Sequence, residues 1–402
     1  MIVQFSLKNV LSFKDKAVLD MTAIPAYKEH RYNLAEMGNG EALLKVAAIY
    51  GANASGKTNF YFGMEVFRRI VTRSLDVVGE TEEHVLEHAY MPFAFEEKRT
   101  PSEFQIVVCN DRAELTYGFE YDRERIVSEW FYRKDFHTKR TSVILERDVD
   151  GIHLGSSVRR ECDKYGEQIP CETLALTFFG RLKLKAQVFR ELFVEIQKML
   201  VIDTNAFENK RVIRTLLPSI IDKEKQGLLE FLAAIDVSIR DISYKMVDEQ
   251  IVFFSTHRGK DGKDYLLNLF SESQGTIKSI VIYIFASTVI QQNGTLIVDE
   301  LNVKLHPLLL KFIIDLFYQE DSKAQLIYTT HDTTLMDKKF FRRDQIWFVD
   351  KDVDGYSRLT ALSDYKVRPD ASFEKDYLAG VYGGIPMLRE FSMKGADVGE
   401  DE

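Results

Sequence analysis

The stretch Val46-Ala-Ala-Ile-Tyr50-Gly51-Ala-Asn53-Ala-Ser55-Gly56-Lys57-Thr58 decides the fold. Its second half has the pattern G-x-x-x-x-G-K-T, in which a glycine-rich turn and the N-terminus of the next helix bind a phosphate chain through backbone N–H groups. The apolar residues before the turn predict a buried strand, and a helix is predicted from residue 57 to about residue 75. The lysine of this pattern reaches the terminal phosphates, and the Thr58 hydroxyl binds Mg²⁺. The sequence therefore predicts a nucleotide site; a glycine turn with a surface lysine is the alternative.

A second motif of phosphate chemistry lies far along the chain. The apolar residues of Thr295-Leu-Ile-Val298 predict a buried strand. Asp299 and Glu300 follow at its carboxyl end, where open α/β sheets bind their ligands. We expect Asp299 to hold Mg²⁺ together with Thr58, and Glu300 to act as general base for an attacking water molecule. The alternative is an exposed acidic pair that caps the next helix. The long separation predicts a large insertion between two halves of one sheet.

The composition is that of a globular protein. The 402 residues are 45% hydrophobic and 29% charged, with a formal net charge of −9, which argues against wholesale coating of nucleic acid but leaves a local basic groove open. No apolar stretch reaches the roughly 18 residues of a membrane helix, and the start lacks a secretion signal. We therefore expect a cytoplasmic protein without membrane contact. Cys109, Cys162 and Cys171 lack metal spacing and are expected to be ordinary reduced thiols.

The organisation of the chain follows from changes in apolar spacing. An antiparallel β-lobe is predicted between about residues 92 and 154, with strands at 103–109, 115–121, 126–132 and 142–146. Helical spacing from about 172 to 240, which includes Met199 and Leu200, predicts a helical insertion. Strands and helices then alternate, which indicates a mostly parallel α/β sheet. The predicted division is an N-terminal lobe at 1–170, the insertion at 171–240, a C-terminal lobe at 241–394 and an acidic tail at 395–402.

Two further segments carry polar residues at the ends of predicted elements. Ser271-Glu-Ser273-Gln-Gly275-Thr276 precedes a predicted helix, where a hydroxyl and a free N–H suit an anion. A plain helix cap by Ser273 is the alternative. The run Leu326-Ile-Tyr-Thr-Thr330-His331 places a histidine at the end of a strand. An imidazole there can donate a hydrogen bond to a phosphate and report its loss.

Together with Asn302-Val-Lys304-Leu-His306-Pro307, these motifs resemble the ABC-type ATPases of the SMC, RecF and OLD clade, which are P-loop NTPases. The resemblance implies ATP and Mg²⁺ as ligands, with Asn53, Ser55 and Asn59 part of the phosphate loop. It also implies a head-to-tail homodimer or higher oligomer that closes around ATP. Ser273 and Gly275 of one subunit would then contact the γ-phosphate held by the other, and His331 would sense that phosphate. Catalysis is expected from Lys57, Glu300 and His331.

The segment Tyr377-Leu-Ala-Gly380-Val-Tyr-Gly383-Gly384-Ile-Pro386 resembles stand-alone bacterial ATPases found with abortive-infection partners. That resemblance implies an anti-phage defence ATPase that controls a separate effector, such as a nuclease or toxin. The alternative is a DNA repair ATPase of RecF or SMC type that binds DNA directly. Nucleic acid contact would fall to the basic clusters, each of which is otherwise a solvated face. These clusters are Arg68-Arg69 with Arg73, Arg133-Lys134 with Lys139-Arg140, Arg181-Lys183-Lys185, and Lys338-Lys339 with Arg342-Arg343.

Three smaller points remain open in the sequence. The glutamine that this clade places near the nucleotide is matched weakly by Gln105, and the segment 91–93 is its alternative. Phe13 is expected either to stack on adenine or to pack in the core. The acidic segment 350–355 imitates a Ca²⁺ loop, but Ala361 stands where a glutamate is needed, so a charged hairpin turn is predicted.

Overall fold

The computed structural model describes residues 1–78, 83–203, 210–235, 237–248, 250–368 and 371–386. The predicted acidic tail lies outside these ranges. The strands are β1 (Ile2–Lys8), β2 (Ala17–Asp20), β3 (Leu34–Glu36), β4 (Ala42–Leu44), β5 (Val46–Tyr50), β6 (Val77–Val78), β7 (Glu83–His84), β8 (Ser102–Cys109), β9 (Ala113–Tyr121), β10 (Ile126–Asp135), β11 (Thr141–Asp148), β12 (Gly151–Leu154), β13 (Met199–Ile202), β14 (Asp241–Val247), β15 (Gln250–Arg258), β16 (Asp264–Asn268), β17 (Thr295–Val298), β18 (Gln325–Thr329), β19 (Ile346–Lys351) and β20 (Ser357–Ala361).

The helices are α1 (Lys57–Arg73), α2 (Val85–Ala89), α3 (Ser156–Cys162), α4 (Ala175–Arg181), α5 (Val188–Gln197), α6 (Lys210–Ala234), α7 (Gln274–Gln292), α8 (Pro307–Leu316) and α9 (Phe373–Leu378). The long helix α6 contains Pro218 and leaves helical geometry at Glu224. Proline disturbs the turn that precedes it, so Pro218 does not explain the break at Glu224, where two helical segments meet.

A six-stranded sheet in the order β13-β17-β18-β5-β19-β20 carries the two phosphate motifs. Its strands are parallel except for β20, which forms an antiparallel hairpin with β19. Every residue of β5, β17 and β18 is buried, as expected for parallel strands covered on both faces. The order places β18 between β17 and β5, so the carboxyl ends of these three strands lie side by side.

The predicted antiparallel lobe is confirmed as a seven-stranded sheet in the order β12-β11-β10-β9-β8-β1-β2. Helix α1 packs on it through aromatic side chains: the Phe5 ring lies 6.0 Å from that of Phe60 and 5.5 Å from that of Phe67. At Gly63 of this helix, a Cβ atom would come within 2.5 Å of a Leu7 methyl group. A larger residue at position 63 would therefore have to displace the end of the Leu7 side chain.

The predicted helical spacing through Met199 and Leu200 is wrong at its end. Helix α5 stops at Gln197, and Met199–Ile202 forms β13, which pairs in parallel with β17 at the edge of the six-stranded sheet. A short buried strand and the end of a buried helix present the same run of apolar residues, so spacing alone does not separate them.

A three-stranded antiparallel sheet, β14-β15-β16, precedes α7. The acidic segment 350–355 forms the predicted turn of the β19–β20 hairpin. The Asp352 carboxylate accepts hydrogen bonds there from the backbone N–H groups of Asp354 and Tyr356. Within the described residues, no helix combines the length and the apolar character needed to cross a membrane.

Candidate nucleotide site

The phosphate loop joins β5 to α1 in the predicted strand–turn–helix order. Helix α1 begins at Lys57 and no side chain caps its N-terminus, so the first-turn N–H groups are left for another acceptor. The Lys57 ammonium donates to the carbonyl oxygens of Gly51 (2.7 Å) and Ala52 (2.9 Å). Burial lowers the pKa of Lys57, and the nearby carboxylates of Glu300 and Asp299 oppose that change. The ammonium thus folds back on its own loop.

Glycine is required at two places in this loop. Gly56 has a φ angle of +115°, and a Cβ atom there would lie 2.2 Å from the Ser357 hydroxyl oxygen. A Cβ atom on Gly51 would lie 2.5 Å from the carbonyl oxygen of Val349. Ser55 lies between these two glycines in the loop. Its hydroxyl group is buried and has no hydrogen-bond partner within the described residues. An unpaired buried hydroxyl is costly, and in this loop a phosphate oxygen would supply its partner.

Hydroxyl groups from distant parts of the chain support the back of the loop. Ser357 of β20 donates to the carbonyl oxygen of Ser55 at 2.5 Å, and its oxygen lies 2.7 Å from that of Ser12. The Asn59 side chain donates to the same Ser12 hydroxyl at 2.7 Å. Asn59 therefore faces the supporting hydroxyls, whereas Asn53 is exposed. Ser357 was not predicted from the sequence, because a single serine in a short strand has no distinguishing pattern.

The two predicted motifs meet at Thr58 and Asp299. The Thr58 hydroxyl donates to Asp299 Oδ2 at 3.0 Å, across a sequence separation of 241 residues. Thr329 of β18 donates to the other carboxylate oxygen at 2.5 Å. Burial raises the pKa of Asp299, although both hydroxyl bonds oppose that change. Thr329 is a second residue that the sequence analysis missed.

Glu300 turns out of β17 with a φ angle of +48°, a left-handed conformation that is uncommon for residues other than glycine. Its backbone N–H donates to the Thr329 hydroxyl at 2.8 Å, which holds this unusual turn. The side chain is half-buried and close enough to Lys57 to oppose the lowering of its pKa. The structure thus places Glu300 at the edge of the phosphate loop.

His331 follows β18 and its ring is exposed. Asn302 connects this residue to the acidic motif: it accepts a hydrogen bond from the Thr330 hydroxyl at 2.9 Å, and its side-chain nitrogen lies 3.5 Å from His331 Nε2. Asn302 is buried, so its amide fixes the spacing between the two loops. The sequence analysis quoted this residue within a motif but gave it no role of its own.

The donors at this edge fit Mg²⁺. A hydroxyl oxygen of Thr58 and a carboxylate of Asp299 already share one hydrogen bond, and both are oxygen ligands of the kind that Mg²⁺ takes alongside water and phosphate. The Asp299 carboxylate is buried and lacks a cationic hydrogen-bond partner within the described residues. A divalent cation would offset the cost of that burial.

Ser273 and Gly275 lie at the exposed N-terminus of α7. The Ser273 hydroxyl accepts a hydrogen bond from the Thr276 N–H at 3.0 Å and lies 2.8 Å from the Thr276 hydroxyl. These bonds are the helix cap that was the alternative interpretation. Within the described residues, no hydrogen bond joins Ser273 to the phosphate loop of its own chain. The site formed by the other predicted residues is therefore assembled without Ser273 and Gly275.

The weaker candidates lie elsewhere. Gln105 is a β8 residue whose side chain accepts from the Trp130 indole N–H at 3.1 Å. Phe13 is fully buried and packs edge-on against Phe60, so the core-packing alternative is correct. In the segment 91–93, the backbone contacts the N-terminal turn through Leu11 and Asn9.

One of the basic clusters, Lys338-Lys339 with Arg342-Arg343, contains a buried arginine. Arg342 is fully buried, and its guanidinium donates to the Asp344 carboxylate at 2.9 and 2.7 Å and to backbone carbonyl oxygens of Ile24, Tyr27 and Glu29. Both the surface interpretation and the nucleic acid role are therefore wrong for Arg342. Lys338 and Lys339 of the same cluster are exposed.

A family model described as "AAA domain, putative AbiEii toxin, Type IV TA system" matches residues 189–337. The match covers less than half of the chain; it includes Ser273, Asp299, Glu300 and His331 but not the phosphate loop. No curated protein matches the chain.

Three solved structures are similar. The SMC head domain from Thermotoga maritima has a TM-score of 0.44 at 13% identity, covering 90% of this chain and 98% of that one. An SMC head bound to the C-terminal winged-helix domain of ScpA has a TM-score of 0.42 at 12% identity, covering 93% and 99%. The recombination mediator RecF with ATPγS ("RecF-ATPrS") has a TM-score of 0.37 at 14% identity, covering 90% and 98%. These TM-scores are all below 0.5, so the fold is described from the chain's own strand order and loop geometry. The chain has an α/β fold, in which a phosphate loop joins β5 of a mostly parallel sheet to α1 and a second sheet is antiparallel.

Proposed function

We propose that this chain binds ATP with Mg²⁺ and hydrolyses it to ADP and phosphate. The hydrogen bond between Thr58 and Asp299 carries this proposal, because it joins the phosphate loop to a buried carboxylate at the end of the neighbouring strands. A loop that only turned the chain would need neither this carboxylate nor the unpaired Ser55 hydroxyl beside it.

The position of each site residue determines the role that we assign to it in ATP binding and hydrolysis. Lys57 would transfer its hydrogen bonds from the carbonyl oxygens of Gly51 and Ala52 to phosphate oxygens, while Thr58 and Asp299 hold Mg²⁺. When bound, Mg²⁺ neutralises phosphate charge. Glu300 accepts the proton of a water molecule whose oxygen bonds to the γ-phosphorus as the bond to the bridging oxygen breaks. His331, which is exposed after β18, would contact the γ-phosphate.

The proposal includes a homodimer that closes around ATP. Its support is the exposed N-terminus of α7, a helix of 19 residues whose dipole favours an anion. Within the described residues, neither Ser273 nor Gly275 forms a hydrogen bond with the phosphate loop of its own chain. An ATP molecule bound by one subunit would give them a partner in the other. Binding energy gained only in the closed dimer is what a nucleotide-controlled switch requires.

We further propose that this ATPase acts in anti-phage defence, where it controls a separate effector such as a nuclease or toxin. The matching family model is described as a putative AbiEii toxin of a type IV toxin–antitoxin system, and the segment 377–386 resembles ATPases found with abortive-infection partners. A direct DNA-binding role of RecF or SMC type is the second candidate. The exposed side chains of Lys134, Lys139 and Arg140 at the β10–β11 hairpin favour it.

The test uses the variant Glu300→Gln, which keeps the size of the side chain but cannot accept the proton. We expect normal ATP binding, a loss of phosphate release of at least about a hundredfold, and a dimer by light scattering only when ATP and Mg²⁺ are present. A wild-type protein that neither binds nor hydrolyses ATP would refute the enzymatic proposal.

The role of Ser273 is tested in the Glu300→Gln background with two further substitutions. Asp and Asn both keep an acceptor for the Thr276 N–H and preserve the helix cap. Only Ser273→Asp adds a negative charge against the γ-phosphate, so it is expected to abolish the ATP-dependent dimer while Ser273→Asn weakens it much less. If both variants dimerise equally with ATP, the proposed contact of Ser273 with the γ-phosphate in the partner subunit is contradicted. Salt-sensitive DNA binding lost in Lys139→Glu would favour the second candidate.

A further inference from the structure

The last described segment, residues 373–386, folds back onto the candidate site, and we name it the C-terminal hook. It consists of α9 and the turn that follows. The rings of Tyr377 and Tyr382 each stack on the ring of Phe348 of β19, with centroid distances of 5.3 and 5.4 Å. All three rings are buried. The hook is therefore part of the same hydrophobic core as β5 and β19, although it lies far from both strands in sequence.

The first contact of the hook is with the start of the phosphate loop. Gly383 and Gly384 have φ angles of +69° and +66°, which turn the backbone against β19. A Cβ atom on Gly384 would lie 3.3 Å from the Val349 carbonyl oxygen and 3.6 Å from the Gly51 Cα atom. The backbone of the hook thus lies directly against the first glycine of the phosphate loop.

Tyr377 holds this contact. Its hydroxyl donates to the carbonyl oxygen of Gly384 at 2.8 Å in a buried environment. Burial raises the pKa of Tyr377 to about 12, so the hydroxyl keeps its proton and remains a donor at neutral pH. The Tyr377 ring also lies 6.3 Å from that of Tyr50, the residue before Gly51. One side chain therefore connects the hook with the entry of the loop.

The second contact is with the loop that carries His331. The Thr333 hydroxyl donates to the Glu374 carboxylate at 2.9 Å, and Glu374 lies in the first turn of α9. Thr333 is two residues from His331. The hook therefore contacts the phosphate loop through one residue and the histidine loop through another.

We propose that the C-terminal hook is a positioning element of the nucleotide site, in which Tyr377 and Gly384 set the entry of the phosphate loop and Glu374 sets the loop of His331. The inference rests on the proposed function that ATP is bound and hydrolysed at this site. Because the contacts fall on different loops, they affect different steps: the Tyr377 contact acts on ATP binding, and the Glu374 contact acts on turnover. ATP binding in turn orders the hook, since coupling between two sites is reciprocal.

The variant Tyr377→Phe tests the first contact. It removes the hydroxyl bond and keeps the ring stacked on Phe348, so ATP affinity is expected to fall about three- to tenfold with kcat little changed, the range expected for one buried hydrogen bond. Tyr121→Phe is the matched control, because Tyr121 also donates a buried hydroxyl bond to a backbone carbonyl, that of Ala89 at 3.0 Å. This control lies in the antiparallel sheet and should change thermal stability without changing ATP affinity.

The variant Thr333→Val tests the second contact. It keeps the shape of the side chain and removes the donor, so kcat is expected to fall about three- to tenfold while ATP affinity stays near the wild-type value. Glu374→Ala should behave in the same way, and Glu374→Gln, which retains an acceptor oxygen, should restore most of the lost activity. If Tyr377→Phe, Thr333→Val and Glu374→Ala change only the stability of the protein, as Tyr121→Phe is expected to do, the proposal is overturned.

Hydrogen exchange gives a readout that does not depend on turnover. We expect ATP to slow amide exchange in residues 380–385 of the wild type, and Tyr377→Phe to speed exchange in residues 51–56 without nucleotide. If the wild type binds ATP but the exchange rates of these amides do not change, the hook is not coupled to nucleotide binding. The role of the hook is then refuted, while the proposed ATPase function stands. If the wild type does not bind ATP in any assay, the proposed function fails, and the exchange of the nucleotide-free variant still reports on the hook contact.

Discussion

Thr329 donates a hydrogen bond of 2.5 Å from its hydroxyl to Asp299 Oδ1. The same hydroxyl oxygen accepts the Glu300 N–H at 2.8 Å, so one buried group on β18 orients both acidic residues at the end of β17. Asp299 thereby keeps its other oxygen directed at Thr58, and Glu300 is held in its left-handed turn. A threonine with no role in the predicted chemistry is thus what connects the two acidic residues to the neighbouring strand.

The first prediction concerns this threonine. Thr329→Val keeps the shape of the side chain but removes both hydrogen bonds, leaving the Glu300 N–H without its partner. We expect ATPase turnover to fall at least about tenfold and the free energy of unfolding to fall by about 1–3 kcal/mol. Thr329→Ser retains the hydroxyl and should keep most of the activity. Steady-state phosphate release and urea unfolding measure the two effects; equal activity of the Val and Ser variants would contradict the assignment.

The second prediction concerns the charge of Asp299. Since burial raises its pKa, the folded protein binds a proton there more tightly than the unfolded chain does. The contribution of Asp299 to the free energy of unfolding is then fully present below its unfolded-state pKa and is lost as the pH rises through its folded-state pKa. Asp299→Asn is therefore expected to be more stable than the wild type in EDTA at pH 7, by about 1 kcal/mol. The difference should shrink as the pH falls toward the ordinary carboxyl range.

Mg²⁺ with ATP should reverse this order. A ligand that binds only the folded protein raises its stability in proportion to the logarithm of its concentration over Kd. The wild type is expected to gain thermal stability with Mg²⁺ and ATP, whereas Asp299→Asn gains much less. A variant that is less stable in EDTA, or one that responds fully to Mg²⁺ and ATP, would remove Asp299 from the proposed metal site.

The strand–turn–helix of the phosphate loop, the antiparallel strands and the acidic end of β17 were predictable because each has a local pattern of apolar and turn residues. The register that brings Thr58 to Asp299 depends on β18 lying between β5 and β17, and no local pattern encodes that order. Buried hydroxyls such as Thr329 and Ser357 were missed for a related reason: their function depends on a partner from another strand.

Two errors have physical causes of their own. Met199 and Leu200 were assigned to a helix because a short buried strand and the end of a buried helix are equally apolar. Arg342 was assigned to a basic surface because a cluster of basic residues is most simply a solvated face. Its partner Asp344 lies only two residues away, but the carbonyl oxygens that complete its bonds come from residues near the N-terminus.

The third prediction follows from that buried ion pair. Arg342→Ala leaves the Asp344 carboxylate buried, with the Ile24 N–H still donating to it but without the guanidinium that neutralises its charge. We expect the free energy of unfolding to fall by about 3–5 kcal/mol, the range measured when one member of a buried pair is removed. Lys339→Ala is the control, since Lys339 is exposed and should change stability by less than about 0.5 kcal/mol. Denaturant unfolding compares them, and similar midpoints would argue against the buried pair.

The fourth prediction concerns the support behind the phosphate loop. Ser357→Ala removes the donor to the Ser55 carbonyl oxygen and the contact with the Ser12 hydroxyl, but creates no steric clash. Because the loop then loses a fixed point next to Gly56, we expect ATP affinity to fall about two- to tenfold, with little change in thermal stability. Ser142→Ala, which removes an exposed hydroxyl bond on β11, is the control. Titration with a fluorescent ATP analogue measures the affinity. If Ser357→Ala binds the analogue as tightly as the wild type does, the phosphate loop is held by its own backbone and by Gly384 instead.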